Sequence, residues 1–194
     1  MKVLLIYAHP NEESFTHAVM ERLQAGLILG EHEVQTIDFY KEEFDPVLVV
    51  NTSRRRRDLL QDPYTERYRN RIAAADHLIF VYPVWWHSMP AMMRGFIEKT
   101  FVSGFAYSFR GKSAQSVLPN GLFRGKTVWC IYTLDALKFV AWLDPGWLSI
   151  KYPIFWYCGF RKVRRFYLPR MKHTSLDERI QWLDQMYRKA VNLR

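Results

Sequence analysis

The sequence predicts an α/β fold, a doubly wound five-stranded parallel sheet with helices on both faces, and three observations carry that prediction. Strand-like and helix-like segments alternate along the chain, the segments at 2–7 and 76–83 are continuous apolar runs, and no repeat, low-complexity stretch or internal linker divides the 194 residues. Alternating β and α calls for parallel pairing, and a strand that is apolar throughout is covered on both faces. At this length one domain over residues 1–194, with a full hydrophobic core, is expected.

The elements follow in order. Lys2 to Tyr7 reads as the first strand. The polar turn "AHPNEES" leads into a helical pattern from about Ser14 to Leu29, with Phe15, Val19, Leu23 and Leu27 on one side. "HEVQTIDFY" alternates and reads as a second strand, followed by an irregular connection with a turn signal at Asp45-Pro46. Asp62-Pro63 has the form of a cap and first helical residue, opening a helix to about Ala75. "DHLIFVYP" is the third strand. Pro90 fits the first position of a helix running from about Ala91 to Val102. "KTVWCIYT" at 126–133 is the fourth strand. The apolar stretch 137–158 is helical only in part, broken by Asp144-Pro145-Gly146, and "RRFYLP" is the fifth strand. The last helix has a capping box, Ser175 with Glu178, and Leu176, Ile180, Leu183, Tyr187 and Val191 recur behind it at helical spacing.

Composition narrows the function classes. Hydrophobic residues are 49% and charged residues 24%, ordinary for a globular protein, whereas aromatics reach 16%. Such an excess serves a flat ligand, a subunit interface or a bulky core. Cys130 and Cys158 lack CxxC or metal-ligand spacing and read as buried thiols rather than a disulfide framework. The apolar run after Met1 is too short for a signal peptide or a membrane span, so a cytoplasmic protein is expected. The net charge of +9 is concentrated in "RRRR" at 54–57 and in "FRKVRRFYLPRMKH". These charges fit phosphorylated ligands or a solvated basic face, and they line no recognition element for nucleic acid.

In an open parallel sheet, ligands bind beyond the carboxyl ends of the strands, where the strand order reverses. That rule selects the loops 8–16, 83–90 and 133–137. The first, "AHPNEESFTHA", ends at a helix N-terminus, where backbone amides and the helix dipole attract phosphate; Ser14 reads either as a phosphate donor or as a plain cap. It has neither the GxGxxG nor the GxxxxGK[ST] pattern. The second loop combines Pro83 with the adjacent indoles of Trp85 and Trp86, a wall suited to a planar ring system, and the third offers "TLDA". The six histidines are scattered and no metal site is expected. There is also no GxSxG elbow and no cysteine beside a strand-end histidine. Flat walls without an evident acid, base or nucleophile point to chemistry carried by a cofactor.

The blocks "KVLLIYAHP-x4-SF-x3-A", "LIFVYPVWWHSMPAMMRGFIEKTF", "FAY", "WYCGF" and "HTSLDERIQWL" run in order through nearly the whole chain. Together they resemble the flavodoxin-like NAD(P)H:quinone oxidoreductases, the diaphorase-type family. The resemblance implies a flavodoxin-like fold, a homodimer, FAD (with FMN as the alternative) and hydride transfer from NAD(P)H to quinones or similar acceptors by a ping-pong mechanism. It implies that His9, Ser14, Phe15 and Thr16 hold the flavin's phosphate side, and that Pro83, Val84, Trp85, Trp86 and His87 lie along the isoalloxazine, Trp86 facing the ring. Tyr107 and Phe109 match positions that close the substrate pocket from the neighbouring subunit, and Met171 and Arg179 match positions near the adenylate half of FAD. Thr133, Leu134, Asp135 and Ala136 stand where the family commonly has Thr-Thr-Gly-Gly, which places a carboxylate by the ring, and the family's residues that assist hydride transfer have no counterpart in 137–150. The alternative reading is a flavin-binding regulatory subunit of a membrane transporter, docked peripherally through the aromatic run "WLDPGWLSIKYPIFWYCGF".

Overall fold

The computed structural model describes residues 1–109 and 119–194. The first strand, β1 (Lys2–Tyr7), is buried over its last five residues. Ser14 caps α1 (Phe15–Leu29), accepting from the His17 N–H at 3.1 Å, and the helix buries Thr16, Val19, Met20, Leu23 and Leu27. Strand β2 (Glu33–Asp38) follows. After a long connection and a 3₁₀ turn (Arg56–Gln61), Asp62 caps α2 (Pro63–Ala74), with Pro63 in its first turn. Strand β3 (His77–Pro83) is buried at every residue. Helix α3 (Ala91–Thr100) starts and stops inside its expected limits. Pro90 has extended ψ and is the cap rather than the first helical residue, and the chain leaves the helix at Phe101.

Two short strands, β4 (Tyr107–Ser108) and β5 (Asn120–Gly121), form an antiparallel ribbon that two-residue elements give the sequence no room to signal. Strand β6 (Thr127–Thr133) leads to α4 (Lys138–Leu143), α5 (Pro145–Ile150) and one turn of π-helix (Lys151–Trp156), the break falling at Asp144 as expected. Strand β7 (Lys162–Leu168) begins two residues before the expected start at Arg164. It is an edge strand, and its basic residues conceal the strand period. A 3₁₀ turn (Met171–His173) and α6 (Leu176–Val191) complete the chain.

The sheet order is β2-β1-β3-β6-β7, and its five strands pair in parallel throughout, the pairing that the sequence predicts. Strand alternation sorts the side chains into two cores. On one face Leu4, Ile6, Phe80 and Tyr132 pack with Tyr68, Ile72, Phe96 and Trp147; on the other Val3, Leu5, Ile79 and Ile131 pack with Val19, Leu23, Trp182 and Met186. Helices α1 and α6 lie together on the second face. Gly26 permits the approach, since a Cβ there would stand 2.6 Å from the Tyr187 carbonyl oxygen. The expected stripe on α6 is met in part, Leu183 packing on this core. Trp182, Met186 and Ala190 face the core, whereas Leu176 and Ile180 are 72% and 47% exposed.

Candidate functional site

The order reverses between β1 and β3, so the loops leaving those strands and β6 converge on one edge. They are tied together in pairs. The rings of His9 and Trp85 lie 5.9 Å apart, which joins the first loop to the second. The Val84 N–H donates to the Thr133 carbonyl at 2.8 Å, joining the second to the third. The buried hydroxyls of Thr16 and Thr133, 3.4 Å apart, join the first to the third. The edge is a single constructed surface.

At the first loop the Asn11 N–H donates to His9 Nδ1 at 3.0 Å. The same Nδ1 lies 3.1 Å from the Asn11 carbonyl oxygen, so Asn11 fixes the ring from both sides, and burial holds the imidazole pKa below its ordinary value. The amides of Phe15 and Thr16 open α1 and meet no acceptor among the described residues. The Thr16 side chain turns inward to Thr133, and Phe15 packs sideways on Trp182 at 6.0 Å. These two residues therefore present main chain, not side chain, to the edge.

Residues 85–88 make a two-residue hairpin turn. Trp85 and Ser88 exchange both backbone hydrogen bonds, at 3.0 and 2.9 Å, and Trp86 and His87 have φ of 49° and 55°. Positive φ at both central positions defines a type I′ turn, in which Asn-Gly is the usual pair. Trp does not favour the left-handed region and His tolerates it better, and a non-glycine residue held there costs about 1–3 kcal/mol. The strained turn points its indole outward. Trp86 is 99% exposed, Trp85 is 44% exposed, and the N–H groups of Trp86 and His87 meet no acceptor among the described residues. The turn rests on the break between α4 and α5, where Gly146 is required: a Cβ there would lie 1.9 Å from the His87 carbonyl oxygen.

In the third loop Leu134 is buried, its N–H donating to the Leu168 carbonyl and its carbonyl accepting from the Met171 N–H. Asp135 faces the Lys172 ammonium at 3.2 Å, so its charge is paired within the chain. The Arg179 guanidinium donates to the Met171 carbonyl at 3.0 Å, which brings the two expected adenylate-side residues together next to this loop. The buried Nε of Arg179 has no partner among the described residues.

Tyr107 and Phe109 are not part of this edge. They lie beyond the far end of α3, a helix about 15 Å long at 1.5 Å per residue, with Tyr107 edge-on to Tyr157 at 5.0 Å. A network behind the 85–88 turn escapes sequence reading. Asp144 is buried and accepts from the Tyr132 hydroxyl at 2.7 Å, while Arg165 donates to Tyr132 at 3.3 Å and to the Trp142 carbonyl at 2.8 Å. Tyr132 also stacks between Tyr82 and Tyr167, at 5.4 and 5.8 Å, its neighbours in the strand register. A tyrosine in the next-to-last position of each of three strands is the one trace of it in the sequence.

Among the described residues no group of His, Cys, Asp or Glu could hold a metal ion, and no helix is long and apolar enough to cross a membrane.

Comparison with known proteins covers the whole architecture. The sequence profile of the family described as flavodoxin-like fold matches residues 1–192. The crystal structure of Smu.1420 from Streptococcus mutans UA159 is 37% identical and covers 100% of both chains with a TM-score of 0.92. NAD(P)H dehydrogenase [quinone] 1 of Cavia porcellus is 24% identical over 99% of this chain and 77% of its own length. An uncharacterized NAD(P)H oxidoreductase of Escherichia coli K12 is 27% identical over 55% of each chain.

Proposed function

This chain belongs to the flavodoxin-like fold family and is related to NAD(P)H:quinone oxidoreductases; from that premise we propose that it is a flavin-dependent NAD(P)H oxidoreductase that reduces quinones or similar acceptors by two electrons. One observation supports the reading above the rest. Three loops are knitted into one edge that offers four backbone donors, at Phe15, Thr16, Trp86 and His87, unpaired among the described residues, beside an exposed indole.

The residues fit a flavin. The Phe15 and Thr16 amides, with the α1 dipole and the His9 imidazole, suit its phosphate. The Trp86 and His87 N–H groups, carried by Pro83 and Val84, suit the polar edge of the ring, and the indoles of Trp86 and Trp85 cover its face and exclude water. Thr133, Leu134 and Asp135 border the ring. The Lys172 ammonium offsets the Asp135 carboxylate that would otherwise oppose an anionic reduced ring. Met171 and Arg179, joined beside this loop, favour FAD over FMN. A flavin held by these residues would supply the hydride chemistry between NAD(P)H and the acceptor. Both substrates use the one space over the ring, which requires them to exchange in turn.

Helix α4 and the π turn leave Phe139, Trp142, Leu143, Tyr152 and Trp156 exposed, an apolar face larger than lone surface residues explain. A second copy of the chain covers it in this reading, and that copy contributes Tyr107 and Phe109 to the pocket. Steady-state oxidation of NAD(P)H at several quinone concentrations tests the activity: parallel double-reciprocal lines are expected, and intersecting lines would refute the shared space. A flavin-loaded protein without turnover that co-purifies with membranes would move the function to the regulatory subunit that the same aromatic face would suit.

A further inference from the structure

The opposite edge of the sheet holds a second, unrelated concavity. Because α6 packs against α1, the amino ends of β6 and β7 are left open on that face, beneath the last turns of α6, as a cleft of about 810 Å³. That volume is in the range of small-molecule sites, about 300–1,000 Å³. Its floor is aromatic: Trp129 and Phe166 meet edge-to-face at 5.0 Å, and the Lys189 ammonium rests 4.9 Å from the Phe166 ring. Strand alternation puts Lys162 and Arg164 on one wall, and the last turns of α6 bring Arg188 and Lys189 to the other.

The charge of this cleft is unbalanced. Among the described lining residues its one side-chain carboxylate, Asp184, is taken by Arg22 at 2.7 Å, whereas Lys162, Arg164, Arg188 and Lys189 form no ion pair. At the back of the cleft stands His77, which is 1% exposed. Its Nδ1 is bonded to the Thr127 hydroxyl and its Nε2 has no partner among the described residues, an orphaned buried polar atom of the kind that a ligand satisfies. A solvated basic face would need neither the concavity, nor the aromatic floor, nor that histidine.

We propose that this cleft is a second binding site, for a phosphorylated aromatic small molecule of nucleotide size. Its phosphate lies between the Lys162–Arg164 and Arg188–Lys189 walls and its ring lies on the Trp129–Phe166 floor. Strand β3 spans seven residues, so the cleft is about 20 Å from the carboxyl edge at 3.3 Å per residue. It does not depend on the flavin reading.

Calorimetric titration of the protein as purified, with adenosine 5′-monophosphate, adenosine and inorganic phosphate as probes, tests the proposal. The monophosphate is expected to bind at this cleft, and adenosine and phosphate each at least tenfold more weakly. The double variant Arg164→Glu/Arg188→Glu, at exposed positions without intramolecular ion pairs, should weaken monophosphate binding at least tenfold, and Trp86→Ala should leave it unchanged. Absence of binding, undiminished binding in the double variant, or loss of binding in Trp86→Ala would each overturn it. Phosphate binding as tightly as the monophosphate would remove the aromatic part, and a single-stranded oligonucleotide binding far more tightly would replace the small molecule with a polymer.

Discussion

Trp86 and His87 are the residues on which the account of the carboxyl edge turns, because the chain holds both in a conformation they do not favour. Glycine adopts positive φ without the Cβ penalty. His87→Gly should therefore raise stability in chemical denaturation by on the order of 1 kcal/mol, whereas glycine normally weakens a folded chain. A loss of stability would show that the turn is unstrained. Trp86→Ala should weaken flavin binding by roughly five- to tenfold, about 1 kcal/mol for an aromatic contact, and more than Trp85→Ala, whose ring is partly engaged by His9. Equal effects in a flavin titration would contradict the assignment. At this scale the sequence was only partly legible. The adjacent indoles after a buried strand marked the edge, but the I′ turn replaces the usual Asn-Gly with Trp-His and so carried no turn signal. The pairing of Asp135 with Lys172, and the buried Asp144–Tyr132–Arg165 network, join residues far apart in the chain that no local pattern connects.

At the scale of elements, helix caps and apolar strands were read directly. Ser14, Asp62 and Ser175 cap as expected because each signal is local to four residues. Ser175→Ala should cost about 1 kcal/mol, both halves of its capping box being formed. The face of α6 is legible only in part: Leu183 packs on the core as its spacing predicts, but Leu176 and Ile180 are exposed and Trp182, Met186 and Ala190 carry the burial. Met186→Ala should accordingly cost about 2–5 kcal/mol, and Ile180→Ser no more than about 0.5 kcal/mol. Denaturation curves with the two costs reversed would restore the expected stripe and contradict the packing of α6.

For the molecule as a whole, the parallel pairing and both helical layers follow from β/α alternation and continuous strands, which is why the binding edge is legible in the sequence, whereas the strand order is not. The amino-edge cleft could not be, because it arises from how α6 is placed, and nothing in its own residues besides their charge points to it. His77 gives the fold a pH dependence: burial lowers its pKa to about 3, against about 6.5 when unfolded. The unfolded chain binds the extra proton between those values, so stability is full above about pH 6.5 and falls as the pH drops toward 3, by up to about 1.4 kcal/mol per unit from this group. His77→Gln should flatten that part of a pH–stability profile, and an unchanged slope would assign it elsewhere. The central claim, that the carboxyl edge holds a flavin, is tested most directly by the visible absorbance of the purified protein, with identification of the flavin released on denaturation. The account predicts a yellow protein with one flavin per chain, FAD in preference to FMN. A colourless protein that takes up neither flavin when each is added would contradict it.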